Sequence, residues 1–234
     1  MSDLPSPAVP VISAQGIGRR HGARWALRGV DLEVRTGRIV MLCGANGSGK
    51  TTLIRVLGTA LTPTKGTLRL FGGPAVEGRP RVAMLSHADH LYDDLSAREN
   101  LSVVATLGPR RGGDVREVLA RVGLAERADD VVRGFSQGMR KRLAFARLLW
   151  KQAELVLLDE PYAGLDPAGA TFVDNLVADL RKAGTTVIMS THQLIRAAAL
   201  CDDAVLLEAG RVRWAGKAEE AGTQAGEILA AAGA

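Results

Sequence analysis

Cysteine is scarce in this chain of 234 residues, which contains only Cys43 and Cys201. Cys43 lies in an apolar run that has the character of a buried strand, and Cys201 lies near the end of the chain. Two thiols placed in this way exclude a disulfide framework and a cysteine-based metal site. This cysteine usage fits a protein of a reducing cytoplasm.

Long apolar runs are also missing. Hydrophobic residues make up 47% of the chain, yet no stretch reaches the roughly 18 to 20 residues needed to cross a bilayer. Residues 1–10 carry Pro5, Pro7 and Pro10 and an acid, without a basic region followed by an apolar core, so they do not resemble a secretory signal. We expect a disordered tail there, and a chain that is soluble or peripheral through a partner.

Aromatic residues account for only 4% of the sequence, and neither sign of charge is rare. Thirty Lys and Arg against twenty-five Asp and Glu give a net charge of +5 and a pI near 9.6. The basic residues are scattered, with Arg140, Lys141 and Arg142 as the longest cluster. Because base-stacking side chains are so sparse, we predict no nucleic acid partner.

A glycine-rich turn is the most informative segment that the chain does contain. Residues 44–51 fit the pattern G-x-x-x-x-G-K-[ST], whose backbone N–H groups surround phosphates. An apolar strand enters the turn and a helical pattern leaves it, so the phosphates meet a helix N-terminus. We predict that Lys50 bridges the terminal phosphate oxygens and that Thr51 offers its hydroxyl to magnesium. The candidate nucleotide-binding residues are Gly44, Ala45, Asn46, Gly47, Ser48, Gly49, Lys50, Thr51 and Thr52.

Two acids follow a second apolar strand, residues 155–158. Asp159 and Glu160 emerge at the carboxyl end of this strand, where parallel sheets place their ligands. Asp159 suits the outer shell of the magnesium ion. Glu160 is the candidate general base, because a carboxylate there can accept the proton of the attacking water.

The segment Phe135-Ser136-Gln137-Gly138-Met139 resembles the signature motif of ABC ATPases, usually LSGGQ, and keeps its serine and second glycine. Ser136 is an N-cap residue, so the helix that follows points N–H groups and a hydroxyl at an anion. The resemblance implies ATP as the nucleotide and a homodimer in which Ser136, Gln137 and Gly138 act on the partner's ATP. It covers the chain from about residue 11 to 217.

Further matches to the ABC family follow along the chain. Asp166 matches the D-loop, which crosses the dimer interface, and His192, after another apolar strand, matches the switch histidine that contacts the γ-phosphate. His21 stands at the aromatic position that stacks on adenine, with Trp25 as a nearby substitute. His87 stands at the Q-loop position, where most members have glutamine.

The fold expected from this resemblance is α/β, a P-loop NTPase with a RecA-like parallel core. An antiparallel β-subdomain opens the chain over residues 11–36, and a helical signature subdomain is inserted at about 86–152. Within it, Asp114 is the predicted N-cap of an amphipathic helix. We expect one domain over residues 11–217 and an Ala/Gly-rich tail over 218–234.

Within the family, two runs resemble the CcmA subfamily, the ATPase of cytochrome c maturation. They are residues 87–101 and 159–169. This resemblance implies a CcmB-like permease, with CcmC-like and CcmD-like subunits, and peripheral attachment to the cytoplasmic face of the inner membrane. The resemblance also implies that the ATPase drives the release of a haem chaperone, a process also described as haem export.

Three alternatives are open at this point. The first is the ATPase of another exporter, for drugs, lipids or polysaccharides, which has the same chemistry. The second is a non-transporting clamp, which predicts an extended basic stripe or an inserted arm, and neither is visible. The third is a regulator without turnover, which predicts loss of Glu160 or His192, and both are present.

Overall fold

The computed structural model describes residues 9–86, 89–107 and 113–224. The strands are β1 (Ile12–His21), β2 (Arg24–Val34), β3 (Ile39–Cys43), β4 (Lys65–Leu70), β5 (Gly73–Pro74), β6 (Val82–Leu85), β7 (Leu155–Asp159), β8 (Thr186–Ser190), β9 (Asp203–Glu208) and β10 (Arg211–Lys217). The helices are α1 (Lys50–Leu57), α2 (Ala75–Gly78), α3 (Ala97–Leu107), α4 (Val115–Arg121), α5 (Gln137–Trp150), α6 (Pro167–Lys182) and α7 (Leu194–Ala198).

A six-stranded sheet forms the centre of the molecule, in the order β10-β9-β3-β8-β7-β6. All neighbours from β9 to β6 are parallel, and β10 closes one edge antiparallel to β9. Every residue of β3, β7 and β8 is buried, as expected for strands covered on both faces. This confirms the predicted α/β fold with a parallel core.

The two faces of this sheet belong to different hydrophobic clusters. On β3, Met41 and Cys43 pack with helices α3 to α6, whereas Val40 and Leu42 pack with α1 and the antiparallel sheet. Successive side chains of a strand point to opposite faces, which divides an uninterrupted apolar run between two cores. The glycine-rich turn after β3 is thereby fixed between two packed layers.

A second, antiparallel sheet has the order β2-β1-β4-β5. Its first two strands are joined through Gly22 and are 10 and 11 residues long. The sequence predicts only residues 11–36 for this sheet, and that prediction is incomplete. Strands β4 and β5 follow α1 in the chain: β4 pairs back onto β1, with Ile12 opposite Leu70, and β5 pairs with β4. Such a long-range pairing leaves little trace in local sequence.

Helices α3, α4 and α5 all lie in the stretch for which the sequence predicts helices. Asp114 caps α4 as expected, since its side chain accepts a hydrogen bond from the Arg116 N–H. The second half of α5, from Leu143 to Trp150, is almost wholly buried and shares one core cluster with the central sheet. The limits of a separate helical subdomain stay a prediction.

The C-terminal boundary predicted at residue 217 stays a prediction, and the chain directly after it packs against the core. Ala218 is 2% exposed and Ala221 is 1% exposed, and both belong to the larger core cluster. The small side chains of this segment let the backbone pack closely against α7 and β9. The rest of the predicted C-terminal tail, and nearly all of the N-terminal one, lie outside the described residues. In the described parts of the chain, no helix has the length and apolar character required to cross a membrane.

Candidate functional site

The glycine-rich turn joins β3 to α1 in a conformation that requires glycine. Gly44 has φ +137° and Gly49 has φ +112°. A Cβ on Gly44 would lie 2.1 Å from the Leu207 carbonyl oxygen, and one on Gly49 would lie 2.7 Å from the Ala26 carbonyl oxygen. The chain is therefore held against its neighbours at both ends of the turn, and the N–H groups at the start of α1 face the turn.

Two polar side chains of the turn are arranged for an anionic ligand. Lys50 Nζ donates to the carbonyl oxygens of Gly44, at 2.8 Å, and Ala45, at 3.1 Å. Ser48 Oγ is buried and, among the described residues, has no hydrogen-bond partner. A buried hydroxyl without a partner is costly unless a ligand or water satisfies it. The turn thus fits the triphosphate that the sequence predicts.

Asp159 ends β7 beside the turn and is 1% exposed. Its Oδ1 accepts hydrogen bonds from Thr51 Oγ1 at 3.1 Å and from Ser190 Oγ at 2.7 Å. The hydroxyl and carboxylate oxygens of Thr51 and Asp159 form the kind of donor set that Mg²⁺ takes up together with substrate phosphates. Across the described residues, no group of three His, Cys, Asp or Glu side chains could hold a metal ion by itself.

Glu160 follows Asp159 in a backbone conformation that is rare for a residue with a side chain, with φ +50°. Its N–H is held by the carbonyl oxygen of Ser190 at 3.1 Å and by Ser190 Oγ at 3.0 Å. Its Oε2 lies 3.0 Å from His192 Nδ1. The carboxylate is only 20% exposed, whereas the imidazole is 67% exposed. The structure therefore brings together the two residues to which sequence analysis assigned catalytic roles.

Ser136 is the N-cap of α5, as predicted, and its Oγ accepts a hydrogen bond from the Met139 N–H at 3.3 Å. Gln137, which departs from the usual signature motif, reaches the loop before α6. A Cβ on Gly164, where φ is +73°, would lie 2.5 Å from Gln137 Nε2. Asp166 caps α6 by accepting from the Gly169 N–H at 2.7 Å.

The signature residues and the glycine-rich turn line different cavities within one chain. A cavity of about 410 Å³ is bounded by the start of α5 and residues 164–169. A second cavity, of about 430 Å³, is bounded by residues 44–48, Thr191 and His192, and by residues 206–209 of β9 and the turn after it. One chain by itself therefore does not bring Ser136 into the cavity of its own glycine-rich turn.

The candidate adenine contacts lie outside that second cavity. His21 is exposed at the end of β1, opposite Arg24. The ring of Trp25 lies between two cations, with Lys65 Nζ at 5.5 Å and Arg20 Cζ at 6.0 Å from its centroid. The adenine role of either side chain stays a prediction. His87, the Q-loop position, lies outside the described residues.

Several side chains that hold this site show no sign of that role in the sequence. Ser190, the last residue of β8, links Asp159 to Glu160. Lys141 on α5 donates to the Glu160 carbonyl oxygen at 3.4 Å, and burial lowers the pKa of this lysine. Arg140 binds Asp89 at 2.8 Å and Asp93 at 2.6 Å, and so ties α5 to the segment after residue 86. In the sequence, Arg140 and Lys141 belong only to a cluster of basic residues near the start of a helix, and nothing in that cluster indicates which groups they bind.

Comparison with known proteins agrees with this geometry. A model of the ABC transporter family matches residues 27–163, more than half of the chain. A solved structure of an ATP binding subunit of an ABC transporter superposes with a TM-score of 0.82 at 26% identity, covering 92% of this chain and 93% of that one.

Three curated relatives differ in their transport roles. Daunorubicin resistance ATP-binding protein DrrA3 of Streptomyces coeruleorubidus is 38% identical over 92% of this chain and 71% of its own length. Nod factor export ATP-binding protein I of Ralstonia nicotianae is 34% identical over the same shares. Cytochrome c biogenesis ATP-binding export protein CcmA 2 of Cupriavidus metallidurans is 37% identical over 80% of this chain and 92% of its own length. The chain therefore belongs to the ABC transporter family and is an ABC transporter ATPase.

Proposed function

We propose that this chain binds MgATP and hydrolyses it to ADP and phosphate as a homodimer that drives an export permease. The 3.0 Å contact between Glu160 Oε2 and His192 Nδ1, beside the glycine-rich turn, is the observation that supports this proposal most directly. The pair supplies a general base and a polar partner that orients it. In the proposed complex, the terminal phosphate of the nucleotide lies next to this pair.

The turn and its neighbours hold the substrate. Backbone N–H groups of residues 44–52 and the ammonium of Lys50 bind the triphosphate. Thr51 and Asp159 hold Mg²⁺, which neutralises charge on the phosphate oxygens when it is bound. Ser190 keeps Asp159 in place by donating to its Oδ1 at 2.7 Å. Asp159 and Ser190 end β7 and β8, and the turn with Lys50 and Thr51 follows the carboxyl end of β3 in the same parallel sheet.

Glu160 and His192 act on water. The Glu160 carboxylate accepts a proton from the water that attacks the γ-phosphorus, while the bond from that phosphorus to the bridging oxygen breaks. His192 fixes the carboxylate through Nδ1 and contacts the phosphoryl group. The Glu160 N–H donates to two oxygens of Ser190. These hydrogen bonds restrict the main chain that carries the carboxylate.

Each ATP lies between two copies of the chain. Ser136, Gln137 and Gly138 of one copy complete the site whose glycine-rich turn belongs to the other, and Asp166 lies at the interface. The two separate cavities of a single chain support this arrangement. His21 stacks on adenine, and His87 transmits closure of the site to the permease.

Mixing two inactive variants tests the composite site. Lys50→Ala and Ser136→Ala homodimers each lack an intact site, whereas a mixed dimer carries one intact turn facing one intact signature segment. We expect each variant alone to lose most MgATP turnover and the mixture to regain part of it. A mixture that stays as inactive as its components contradicts shared sites. Mixing Lys50→Ala with Glu160→Gln is the matched control, because both lesions fall on the turn side and the mixed dimer has no intact site.

The transported cargo has two candidates. Residues 87–101 and 159–169, together with the similarity to CcmA 2, support an ATPase of cytochrome c maturation. Its partners are CcmB-like, CcmC-like and CcmD-like proteins, and its position is the cytoplasmic face of the inner membrane. The similarity to DrrA3 and to the Nod factor protein supports the ATPase of another exporter, for drugs, lipids or polysaccharides.

Co-purification from native membranes separates these candidates. A tagged chain should bring down an integral permease, identified by mass spectrometry. Cytochrome c maturation subunits support the first candidate, and an unrelated permease supports the second. Soluble partners alone contradict the role in transport.

A further inference from the structure

Asp174, on the second turn of α6, is a hydrogen-bond centre outside the residues that bind nucleotide. Its Oδ1 accepts from Tyr162 Oη at 2.9 Å and from Arg196 Nε at 3.1 Å. Its Oδ2 accepts from Arg196 Nε at 2.9 Å and from Nη2 at 2.6 Å. The guanidinium also lies 5.6 Å from the centroid of the Tyr162 ring. One carboxylate is thus shared by a phenol and a forked guanidinium.

The two partners of Asp174 lie close in the chain to the catalytic pair. Tyr162 lies two residues after Glu160, and Arg196 lies four residues after His192, in α7. Helix α6 itself begins at the cap residue Asp166. Asp174 therefore links α6, the helix that follows the D-loop, to the loop after β7 and to α7, which follows the loop after β8.

The link is well packed. Tyr162 is 2% exposed, and the Asp174 and Arg196 side chains are 24% and 34% exposed. Burial and the Asp174 carboxylate raise the pKa of Tyr162 far above its ordinary value, so its hydroxyl keeps its proton and donates. A bidentate pair of Arg and carboxylate fixes both distance and orientation. This fork can hold α7, and with it His192, at a set distance from the Glu160 loop.

We propose that Asp174 and Arg196 are positioning residues for hydrolysis: together with Tyr162 they fix the position of the His192 loop relative to the Glu160 loop. The inference rests on the proposed function, because it assigns the pair a role in ATP turnover through His192. Neither residue contacts the glycine-rich turn, and ATP binding should not depend on them.

Steady-state kinetics of Arg196→Ala test the proposal. We expect kcat to fall roughly tenfold to a hundredfold, as for loss of hydrogen bonds to a charged group, with KM for MgATP changed less than about twofold. Arg196→Lys keeps the charge without the fork and should be intermediate. Tyr162→Phe removes the hydroxyl that donates to Asp174 but keeps the buried ring. It therefore serves as a second variant that we expect to fold. Arg81→Ala is the control, since Arg81 makes a similar bidentate pair with Glu154 at the opposite end of β7; its kcat should match wild type.

A double-mutant cycle with His192→Ala separates positioning from a general structural role. If Arg196 acts through His192, adding Arg196→Ala to His192→Ala should slow turnover by less than about twofold. A full tenfold loss in both backgrounds overturns the inference, as does wild-type kcat in Arg196→Ala. Failure of the proposed function is distinct from these results, because the wild-type chain then shows no MgATP turnover at all.

A spectroscopic readout checks the same link without turnover. The sequence has four histidines, so ring ¹³C resonances of histidine-labelled protein can be assigned with His192→Ala and His21→Ala. Arg196→Ala should shift the His192 resonance and leave the His21 resonance in place. An unchanged His192 resonance contradicts the proposal. In Arg81→Ala, both resonances should stay where they are in the wild type.

Discussion

Lys141 lies with its ammonium 3.4 Å from the main-chain carbonyl oxygen of Glu160. The lysine belongs to the second turn of α5, shortly after the signature residues, whereas Glu160 directly follows β7. In the proposed dimer, the helix that follows Ser136, a contact to the partner's nucleotide, therefore also touches Glu160, the proposed base for the nucleotide of its own chain. We therefore expect a movement of α5 to alter the hydrogen bond between Lys141 and the main chain of Glu160.

Lys141→Met should have opposite effects on turnover and on stability at neutral pH. Loss of one hydrogen bond to the Glu160 carbonyl should slow hydrolysis by roughly twofold to tenfold. Burial lowers the pKa of Lys141, so the unfolded chain binds more protons at this group than the folded one, and the stability of the wild-type protein rises with pH through that window. The variant should have an equal or higher melting temperature at pH 7, and the difference should shrink towards pH 10. A variant that melts lower at pH 7, with unchanged hydrolysis, contradicts this assignment.

Glu160→Gln should retain ATP and lose turnover. Removal of a general base costs on the order of a hundredfold or more in rate, while the residues that bind the triphosphate are intact. We therefore expect an ATP-dependent dimer in size-exclusion chromatography with light scattering, and little phosphate release. Glu33→Gln, at an exposed carboxylate of β2, is the control and should behave as wild type. Undiminished turnover by Glu160→Gln would contradict the assignment of Glu160 as the general base.

Gly44→Ala should unfold the turn or displace β9. The φ of +137° costs about 1 to 3 kcal/mol for a residue with a side chain, and the new Cβ meets the Leu207 carbonyl oxygen at 2.1 Å. Gly22→Ala is the matched control, because φ is +57° and nothing lies within 4 Å of its Cβ. Its cost should be about 1 kcal/mol. Urea unfolding of both variants measures the difference, and equal stabilities would show that the contact with Leu207 is relieved cheaply.

Both cysteines should resist alkylation in the native protein. Burial raises the pKa of Cys43 to about 11 and that of Cys201 to about 12. At pH 8 the thiolate fractions are then roughly a hundredfold and a thousandfold below that of an exposed thiol with a pKa near 9. Mass spectrometry after iodoacetamide treatment should find both thiols unmodified, and both alkylated in guanidinium chloride. Rapid labelling of Cys43 in the folded chain would mean that β3 opens next to the nucleotide turn.

Much of the site was predictable because its motifs are local. A glycine turn between a strand and a helix, two acids at a strand end and a serine before a helix each follow from residues that are neighbours in the chain. The structure places Lys50, Thr51, Asp159, Glu160 and His192 at one edge of the sheet, since the carboxyl ends of parallel strands meet there. The family, too, followed from the order of these motifs, whereas the cargo did not.

The sequence by itself determined the parallel core, the nucleotide turn and the strand-end acids, because hydrophobic period and glycine geometry act over a few residues. Only the tertiary structure decided which distant groups hold them: β4 on β1, Ser190 between Asp159 and Glu160, and Asp174 between Tyr162 and Arg196. These partners are separated by up to tens of residues, and a charged or polar side chain gives no local sign of its partner. Packing of the strands and helices sets those distances.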